Sequence, residues 1–146
     1  EVLHGVATFD ITPKTLEERE TWLSQHNVGN FPLIVAVNEH NEVIGYASLS
    51  EYRTKEAYRQ TAELSVYIDV NHRGKGVASM LLESIITLAQ RETDLCTIVS
   101  VITSGNKVSR RLHEKYGFEY CGTMRNVGMK WDKWLGIDNY TLHIQR

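Results

Sequence analysis

Residues 71–78 read Asn-His-Arg-Gly-Lys-Gly-Val-Ala and stand between two segments of different periodicity. Before them, residues 63–70 are rich in β-branched and aromatic side chains, which favours a β-strand. After them, apolar residues recur at helical spacing, at Val77, Met80, Leu81, Ile85 and Leu88. A strand that passes through a glycine-rich loop into a helix points free backbone N–H groups and the positive end of the helix dipole at one place. The segment therefore predicts an anion site, and a phosphate or pyrophosphate suits it best.

Two familiar phosphate-binding motifs do not fit this loop. The Walker A pattern Gly-x-x-x-x-Gly-Lys-Ser/Thr occurs nowhere in the chain. The dinucleotide pattern Gly-x-Gly-x-x-Gly fails because Ser79 stands three residues after Gly76. The loop does match Arg-x-x-Gly-x-Ala, from Arg73 to Ala78. A plain strand–helix connection of the same composition is the structural alternative.

A second segment, residues 106–118, reads Asn-Lys-Val-Ser-Arg-Arg-Leu-His-Glu-Lys-Tyr-Gly-Phe. Asn106 is a suitable N-cap, and Gly117 suits the left-handed position that follows a helix. Val108 and Leu112 fall on one helical face. The segment predicts a helix over residues 106–116.

These segments resemble the GNAT superfamily of acyl-CoA-dependent N-acyltransferases. Residues 73–78 resemble its pyrophosphate loop, and residues 114–118 resemble the end of its second cofactor-side helix. The resemblance covers nearly the whole chain, from His4 onward. Four pieces are similar to the branch that acetylates phosphinothricin, methionine sulfoximine and related small amino acids: Glu63–Tyr67, Val99–Ile102, Leu112–Phe118 and Val127–Leu135.

The resemblance implies an α/β fold in which a mixed central sheet splays at the cofactor site and is flanked by helices. The residue patterns agree with this order of elements. They predict three helices: one from the capping box at Thr15 to about Gln25, one over residues 77–91 and one over residues 106–116. They predict strands over residues 31–37, 43–49, 63–70, 96–102 and 118–122. The C-terminal strand, with Tyr140, Leu142 and Ile144, is predicted to be half-exposed.

A length of 146 residues predicts a single domain, and the resemblance implies that this domain, 1–146, is an N-acetyltransferase. Position 1 is Glu, and the resemblance implies that the native N-terminal strand is missing from the sequence. A net charge of −2 gives no support to nucleic-acid binding. No apolar run approaches the ~20 residues of a membrane span, and no secretory signal is recognisable, so we expect no membrane partner and a cytoplasmic location.

The two cysteines, Cys96 and Cys121, are too far apart to form a metal pair and too few for a disulfide framework. We therefore expect no metal site. Cys96 begins the apolar run of residues 96–102 and is predicted to be a small buried hydrophobe.

Glu63 is the candidate general base. An alkyl ammonium has a pKa near ~10, so acyl transfer to an amine at neutral pH requires a base. Strand alternation puts Glu63 on one face with Ser65 and Tyr67, and a carboxylate inside a sheet is costly without a partner or a water path. The resemblance implies that this glutamate deprotonates the acceptor amine through water. A structural ion pair is the alternative.

His113 is the second candidate catalytic residue. The resemblance implies a position near the thioester sulfur, where many relatives carry a tyrosine as general acid. An imidazole with an ordinary pKa near ~6.5 can serve as acid or base. A packed helix histidine is the alternative. Tyr116, three residues later, is interpreted as a packing residue.

The resemblance also implies acetyl-CoA as co-substrate, with backbone N–H groups of the central strand facing the thioester carbonyl and the pantetheine arm. Asn106 either hydrogen-bonds that arm or serves only as an N-cap. The implied cofactor-binding residues are Val66, Tyr67, Ile68, Val70, Arg73, Gly74, Lys75, Gly76, Val77, Ala78, Ser79, Asn106 and Ser109.

The acceptor side is predicted from residues before Glu63 and near the C-terminus. An arginine fork matches a carboxylate or phosphinate, although surface solvation explains the arginines equally well. Trp131 and Trp134 are expected to shape the cleft or a dimer contact. Gly136 departs from several relatives, which have Asp there. The candidate substrate-binding residues are Arg53, Tyr58, Arg59, Val101 and Lys130.

Three functional hypotheses follow. The first is an N-acetyltransferase that uses acetyl-CoA and acts directly, in a ternary complex, on a small amino acid such as methionine sulfoximine or phosphinothricin. The second keeps acetyl-CoA and changes the acceptor to a protein N-terminus or lysine. The third is a non-catalytic CoA-binding module. A homodimer is common in the branch that the sequence resembles, and we expect one here.

Overall fold

The computed structural model describes residues 2, 5 and 7–145. Its helices are α1 (Leu16–Ser24), α2 (Val77–Glu92) and α3 (Lys107–Lys115). Its strands are β1 (Leu33–Val37), β2 (Val43–Glu51), β3 (Thr61–Ile68), β4 (Thr97–Thr103), β5 (Glu119–Lys130) and β6 (Lys133–His143). Short 3-10 turns occupy Glu56–Tyr58 and Val70–His72. None of the helices in this described part of the chain is long and apolar enough to cross a membrane.

The six strands form one mixed sheet in the order β1-β2-β3-β4-β6-β5. The β3–β4 pair is parallel, and the other neighbours are antiparallel. Strands β3 and β4 pair only where residues 61–63 face residues 97–99, although both strands continue further. The two strands therefore part beyond Glu63. This confirms the expected mixed sheet that splays in its middle.

The sheet has two different faces. Ala62 and Leu64 of β3 are buried with Leu82 and Ile85 of α2 in the main core, so α2 covers this face. Residues of α3 pack against the same core, which also contains Tyr140. Helix α1 lies on the opposite face, because Trp22 contacts the ring of Tyr46 at a centroid distance of 5.6 Å and Tyr46 is out of phase with buried Ala47.

The predicted helix caps are confirmed. The Glu18 N–H donates to Thr15 Oγ1 at 3.1 Å, and the Thr15 N–H donates to Glu18 Oε1 at 3.3 Å, which completes the capping box of α1. Asn106 Oδ1 accepts from the Ser109 N–H at 3.1 Å and caps α3. Gly117 follows α3 with φ +86°, as the left-handed position requires.

The predicted short strand over residues 118–122 is wrong in length. Strand β5 runs for 12 residues and forms a long hairpin with β6. Its register shifts twice, between Tyr120 and Gly122 and between Met124 and Gly128, so its side chains do not keep one alternating pattern. Trp131 and Asp132 both have positive φ, 53° and 58°, in the two-residue turn. Such turns are usually built from Asn, Asp and Gly, and only Asp132 fits that preference here, since Trp131 precedes it.

Three smaller predictions also need correction. Cys96 is exposed, because it stands just before β4 and burial of that strand begins at Ile98. Val70 lies in a 3-10 turn and is 66% exposed, so the central strand ends at Ile68. The C-terminal strand β6 begins at Lys133 and lies between β4 and β5, which leaves Tyr140 only 1% exposed. Of the N-terminal segment that resembles the family, His4 and Val6 lie outside the described residues.

Gly45→Ala is expected to destabilise the fold. Gly45 faces Ile68 across the β2–β3 pair, and an added Cβ would lie 2.9 Å from both the Tyr67 carbonyl oxygen and Ile68 Cδ1. Because the carbonyl belongs to the backbone, the sheet must shift, and we expect a loss of about 1–3 kcal/mol in the free energy of unfolding. Chemical denaturation measures it.

Ser48→Ala is the matched control in the same strand. Ser48 is fully buried, and its hydroxyl has no hydrogen-bond partner in the described part of the chain. Removing it is expected to be neutral or slightly stabilising. Equal losses in the two variants would contradict the role given to the Gly45 backbone contact.

Candidate active site

The loop between β3 and α2 is open and left-handed at both glycines. Gly74 and Gly76 have φ of +76° and +79°, and an added Cβ at either position would meet nothing within 4 Å. Gly76 is the N-cap of α2 and makes no side-chain cap hydrogen bond. The two glycines thus leave open space beside the first N–H groups of a 16-residue helix. This cradle suits the two phosphates of a diphosphate.

Charges around the cradle are arranged in an unexpected way. Arg73 and Lys75 are exposed in the loop. Asp69 and His72 pair across the preceding turn, with His72 Nδ1 2.7 Å from Asp69 Oδ2, and no sequence pattern predicts this pair. The hydrogen bond from His72 is the main reason that the pKa of Asp69 lies below its usual value. The pair closes the turn and engages a carboxylate that lies next to the anion site.

The splay exposes one edge of β3. Beyond Glu63, none of the described β3 residues pairs with β4. The edge that is left unpaired includes Val66, Tyr67 and Ile68. The N–H groups of Val66 and Ile68 point toward β4 and are free of the ladder, whereas that of Tyr67 points toward β2. Val101, the predicted substrate-side residue, lies across the gap on β4 and is half-buried. The three predicted β3 residues are brought to one open slot that leads away from the loop.

The beginning of α2 and the end of α3 meet beside the loop. The hydroxyls of Ser79 and Tyr116 lie 2.6 Å apart, and Lys115 Nζ donates to Ser79 Oγ at 3.2 Å. Tyr116 also packs on the core, which confirms its interpretation as a packing residue. Asn106 and Ser109 are tied together by the N-cap of α3. The predicted cofactor residues thus come from the loop, the β3 edge and two adjacent helices.

Glu63 is the last residue of β3 that pairs with β4. It is half-buried and out of phase with buried Ala62 and Leu64, which confirms its place on the face opposite α2. Burial raises the pKa of the Glu63 carboxyl. Among the described residues, no hydrogen bond or ion pair engages this carboxylate, so the ion-pair alternative has no partner there. The result is a carboxylate of increased basicity at the point where the sheet opens.

His113 is packed in the core and is only 4% exposed. Nδ1 lies 2.6 Å from the Ser109 carbonyl oxygen and therefore donates to it, while Nε2 lies 2.6 Å from Ser100 Oγ. Burial lowers the pKa of His113, and the bond to Ser109 opposes that shift only in part. This arrangement matches the alternative interpretation, in which His113 is a helix histidine that only packs in the core. The role of His113 as a general acid stays a prediction.

The predicted acceptor residues divide into two groups. Arg53 and Tyr58 line an open cavity of about 380 Å³, and Arg59 borders the adjoining one of about 340 Å³. The Arg53 guanidinium lies 5.0 Å and 5.7 Å from the rings of Tyr52 and Tyr58, close enough for a cation–π contact. Lys130 is different, because it is 2% exposed and its Nζ donates to the Thr8 carbonyl oxygen at 2.8 Å. In this placement Lys130 anchors the N-terminal segment.

A cluster that the sequence did not predict lies on the Glu63 face. The Arg19 guanidinium stacks 4.1 Å from the centroid of the Trp22 ring and lies 6.0 Å from the centroid of the Tyr46 ring. Tyr46 faces Tyr67 across the β2–β3 pair, with ring centroids 5.4 Å apart. Burial raises the pKa of Tyr46, and Arg19 opposes that shift. Alternation along β2 gives a partial signal for Tyr46, but nothing in the sequence connects it with Arg19.

Comparison with known proteins gives the same family for most of the chain. The family model for the acetyltransferase (GNAT) family matches residues 5–118. The L-methionine sulfoximine/L-methionine sulfone acetyltransferase of Pseudomonas aeruginosa is 38% identical over 138 residues, which are 94% of this chain and 80% of that protein.

Two solved structures have nearly the same fold. A phosphinothricin acetyltransferase from Sinorhizobium meliloti in complex with AcCoA superposes with a TM-score of 0.93 at 33% identity, over 98% of this chain and 77% of that one. A ribosomal-protein-alanine N-acetyltransferase from Brucella melitensis superposes with a TM-score of 0.92 at 38% identity, over 97% of this chain and 86% of that one. With the phosphate cradle, the splayed sheet and these similarities together, the chain belongs to the GNAT family of acetyltransferases.

Proposed function

We propose that this chain is an N-acetyltransferase that transfers the acetyl group of acetyl-CoA directly to the amine of a small amino acid such as methionine sulfoximine or phosphinothricin. The observation that carries the proposal is Glu63, a half-buried carboxylate without a described partner, at the point where β3 leaves β4. The named Pseudomonas and Sinorhizobium relatives support the acceptor class.

The residues of the cradle fit a CoA diphosphate. Backbone N–H groups at the start of α2 would bind its oxygens, and the two glycines leave the space for it. Arg73 and Lys75 add positive charge at the same place. Bound acetyl-CoA supplies an activated acetyl group as a thioester. The free, β4-facing N–H groups of Val66 and Ile68 are suited to donate hydrogen bonds to a carbonyl oxygen on which negative charge develops.

Glu63 removes the proton that keeps the acceptor amine unreactive. Burial raises its pKa, so it is a stronger base than an exposed glutamate. Neither Cys96, before β4, nor Cys121, on β5, lies at the splay, and this supports direct transfer without an acyl-cysteine step. Arg53 and Arg59 are the proposed partners of the acidic groups of the acceptor. His113 as general acid and Lys130 as a substrate contact remain predictions with less support, because both are buried.

The alternative acceptor is a protein or peptide N-terminus. The Brucella ribosomal-protein-alanine N-acetyltransferase favours it, because that structure is as similar as the small-molecule relatives. A homodimer and a cytoplasmic location are also proposed, with the exposed Trp134 of the β5–β6 hairpin as a candidate dimer contact. Size-exclusion chromatography with light scattering tests the dimer.

The first test is CoA thiol release from acetyl-CoA with L-methionine sulfoximine or L-phosphinothricin, with a control that contains no acceptor. We expect acceptor-dependent release with at least one of them. A peptide with a free N-terminal alanine serves as the competing acceptor, and mass spectrometry identifies the acetylated product. Release with the peptide alone would favour the alternative acceptor. Acetyl-CoA binding without release for any amine would refute the proposed activity.

A further inference from the structure

His26 hydrogen-bonds the hydroxyl of Ser50, which lies next to Glu63. It follows α1, is only 6% exposed, and both of its ring nitrogens are engaged. Nδ1 lies 2.8 Å from the Trp22 carbonyl oxygen, and Nε2 lies 2.8 Å from Ser50 Oγ. A carbonyl oxygen only accepts, so the proton of the neutral ring is assigned to Nδ1. Nε2 must then accept, and the single hydrogen of the Ser50 hydroxyl is donated to it.

Ser50 faces Glu63 directly. The two residues are register partners in the antiparallel β2–β3 pair, and their side chains lie on the same face of the sheet. Opposite residues in such a pair have Cβ atoms about 4.5–5.5 Å apart. Since the Ser50 hydroxyl donates its hydrogen to His26, only lone pairs of Ser50 Oγ face the Glu63 carboxylate. A hydroxyl that donated instead would favour the charged form of Glu63 and reduce its basicity.

Among the groups that surround Glu63, the Ser50 hydroxyl is the one whose orientation sets the basicity of the carboxylate. The elements packed beside it contribute Ser50 from β2, Val99 from β4 and His26 from the segment after α1. The loop that follows β2 carries Arg53 and Arg59, and neither forms an ion pair with a described carboxylate. Burial is the cause of the raised pKa of Glu63, with no charged neighbour contributing.

We propose that His26 is a positioning residue that keeps the Ser50 hydroxyl turned away from Glu63, so that the carboxylate remains free to accept a proton from the acceptor amine. This inference rests on the proposed role of Glu63 as the base. It assigns a function to a buried histidine that lies outside every motif of the chain.

His26→Leu tests the inference directly. Leucine cannot accept a hydrogen bond, so the Ser50 hydroxyl is released and can donate to Glu63. We expect the acid limb of the pH profile of kcat/KM to move to lower pH, and turnover at neutral pH to fall by roughly 3- to 10-fold as the base weakens. In the double variant with Ser50→Ala, the released hydroxyl is absent, and the acid limb should return to its wild-type position. A purely structural role for His26 would not be restored by this second change.

Ser50→Ala alone is the variant that is expected to fold in every case. It should leave the acid limb in place, because the hydroxyl does not donate to Glu63 in the wild type. An acid limb displaced to higher pH in this variant would show that Ser50 does donate to Glu63, and would overturn the inference. A folded His26→Leu variant with an unchanged acid limb would also overturn it.

A readout that does not need turnover separates this inference from the proposed function. The titration of the Glu63 carboxyl carbon, followed by NMR and assigned with Glu63→Gln, should move to lower pH in His26→Leu and stay in place in Ser50→Ala. A wild type without activity toward any acceptor would refute the proposed function, and the same titrations would still decide whether His26 controls the basicity of Glu63.

Discussion

Glu63→Gln is expected to lower kcat by about 10²–10⁴-fold with either small acceptor, the range typical of a lost general base. The amide has nearly the same shape but cannot accept the proton of the ammonium. Because Glu63 lies on the face opposite α2, away from the phosphate cradle, the dissociation constant of acetyl-CoA should not change. Steady-state kinetics and calorimetric titration with acetyl-CoA measure the two quantities separately.

The pH dependence of kcat/KM gives a second test of Glu63 as the base. Below the pKa of Glu63 the carboxyl is protonated and cannot act as a base, so kcat/KM of the wild type should fall at low pH. Burial raises that pKa, so the fall should begin above the usual range of a glutamate. In Glu63→Gln this acid limb should be lost. Glu119→Gln, which removes an exposed carboxylate from β5 outside the acceptor cavity, is the matched control and should keep both the rate and the limb. Near wild-type turnover in Glu63→Gln would contradict the assignment of the base.

Local patterns explain which parts of the site could be predicted. The cradle joins a strand to a helix over consecutive residues, so its glycines, cations and N-cap all follow one another in the sequence. The face of Glu63 follows from alternation inside a single strand. The caps of α1 and α3 each depend on residues three positions apart. In each case the interacting groups are close in sequence, and residue type alone fixes the geometry.

Contacts between distant segments explain the rest. The splay depends on where residues 61–63 stop pairing with residues 97–99, and no pattern inside either strand marks that point. The His26–Ser50 hydrogen bond joins residues 24 positions apart. His26 has an ordinary helix-end context in the sequence, and only the packing of α1 on the sheet brings it to Ser50. The sequence patterns therefore predict Glu63 as a candidate base, but they do not predict the environment that sets its basicity.

Gly76→Ala is expected to raise the KM for acetyl-CoA by about 10-fold or more, with a smaller effect on the KM for the acceptor. The residue has φ +79°, where a side chain costs about 1–2 kcal/mol, and it begins α2. Its added Cβ meets no protein atom within 4 Å and would enter the open space over the first N–H groups of the helix. That is the space assigned to the diphosphate. Backbone strain at Gly76 and steric blocking by the added Cβ would therefore both weaken binding of the diphosphate.

Gly29→Ala separates these two causes. Gly29 has a similar left-handed φ of +56° and equally open surroundings, but it lies in the turn between α1 and β1, away from the cradle. It should lose stability without a change in the KM for acetyl-CoA. If both variants raised that KM equally, general strain would explain the loss and the cradle would not be the diphosphate site. A rise in Gly76→Ala alone would mean that the glycine is needed because the ligand occupies the place of its missing side chain.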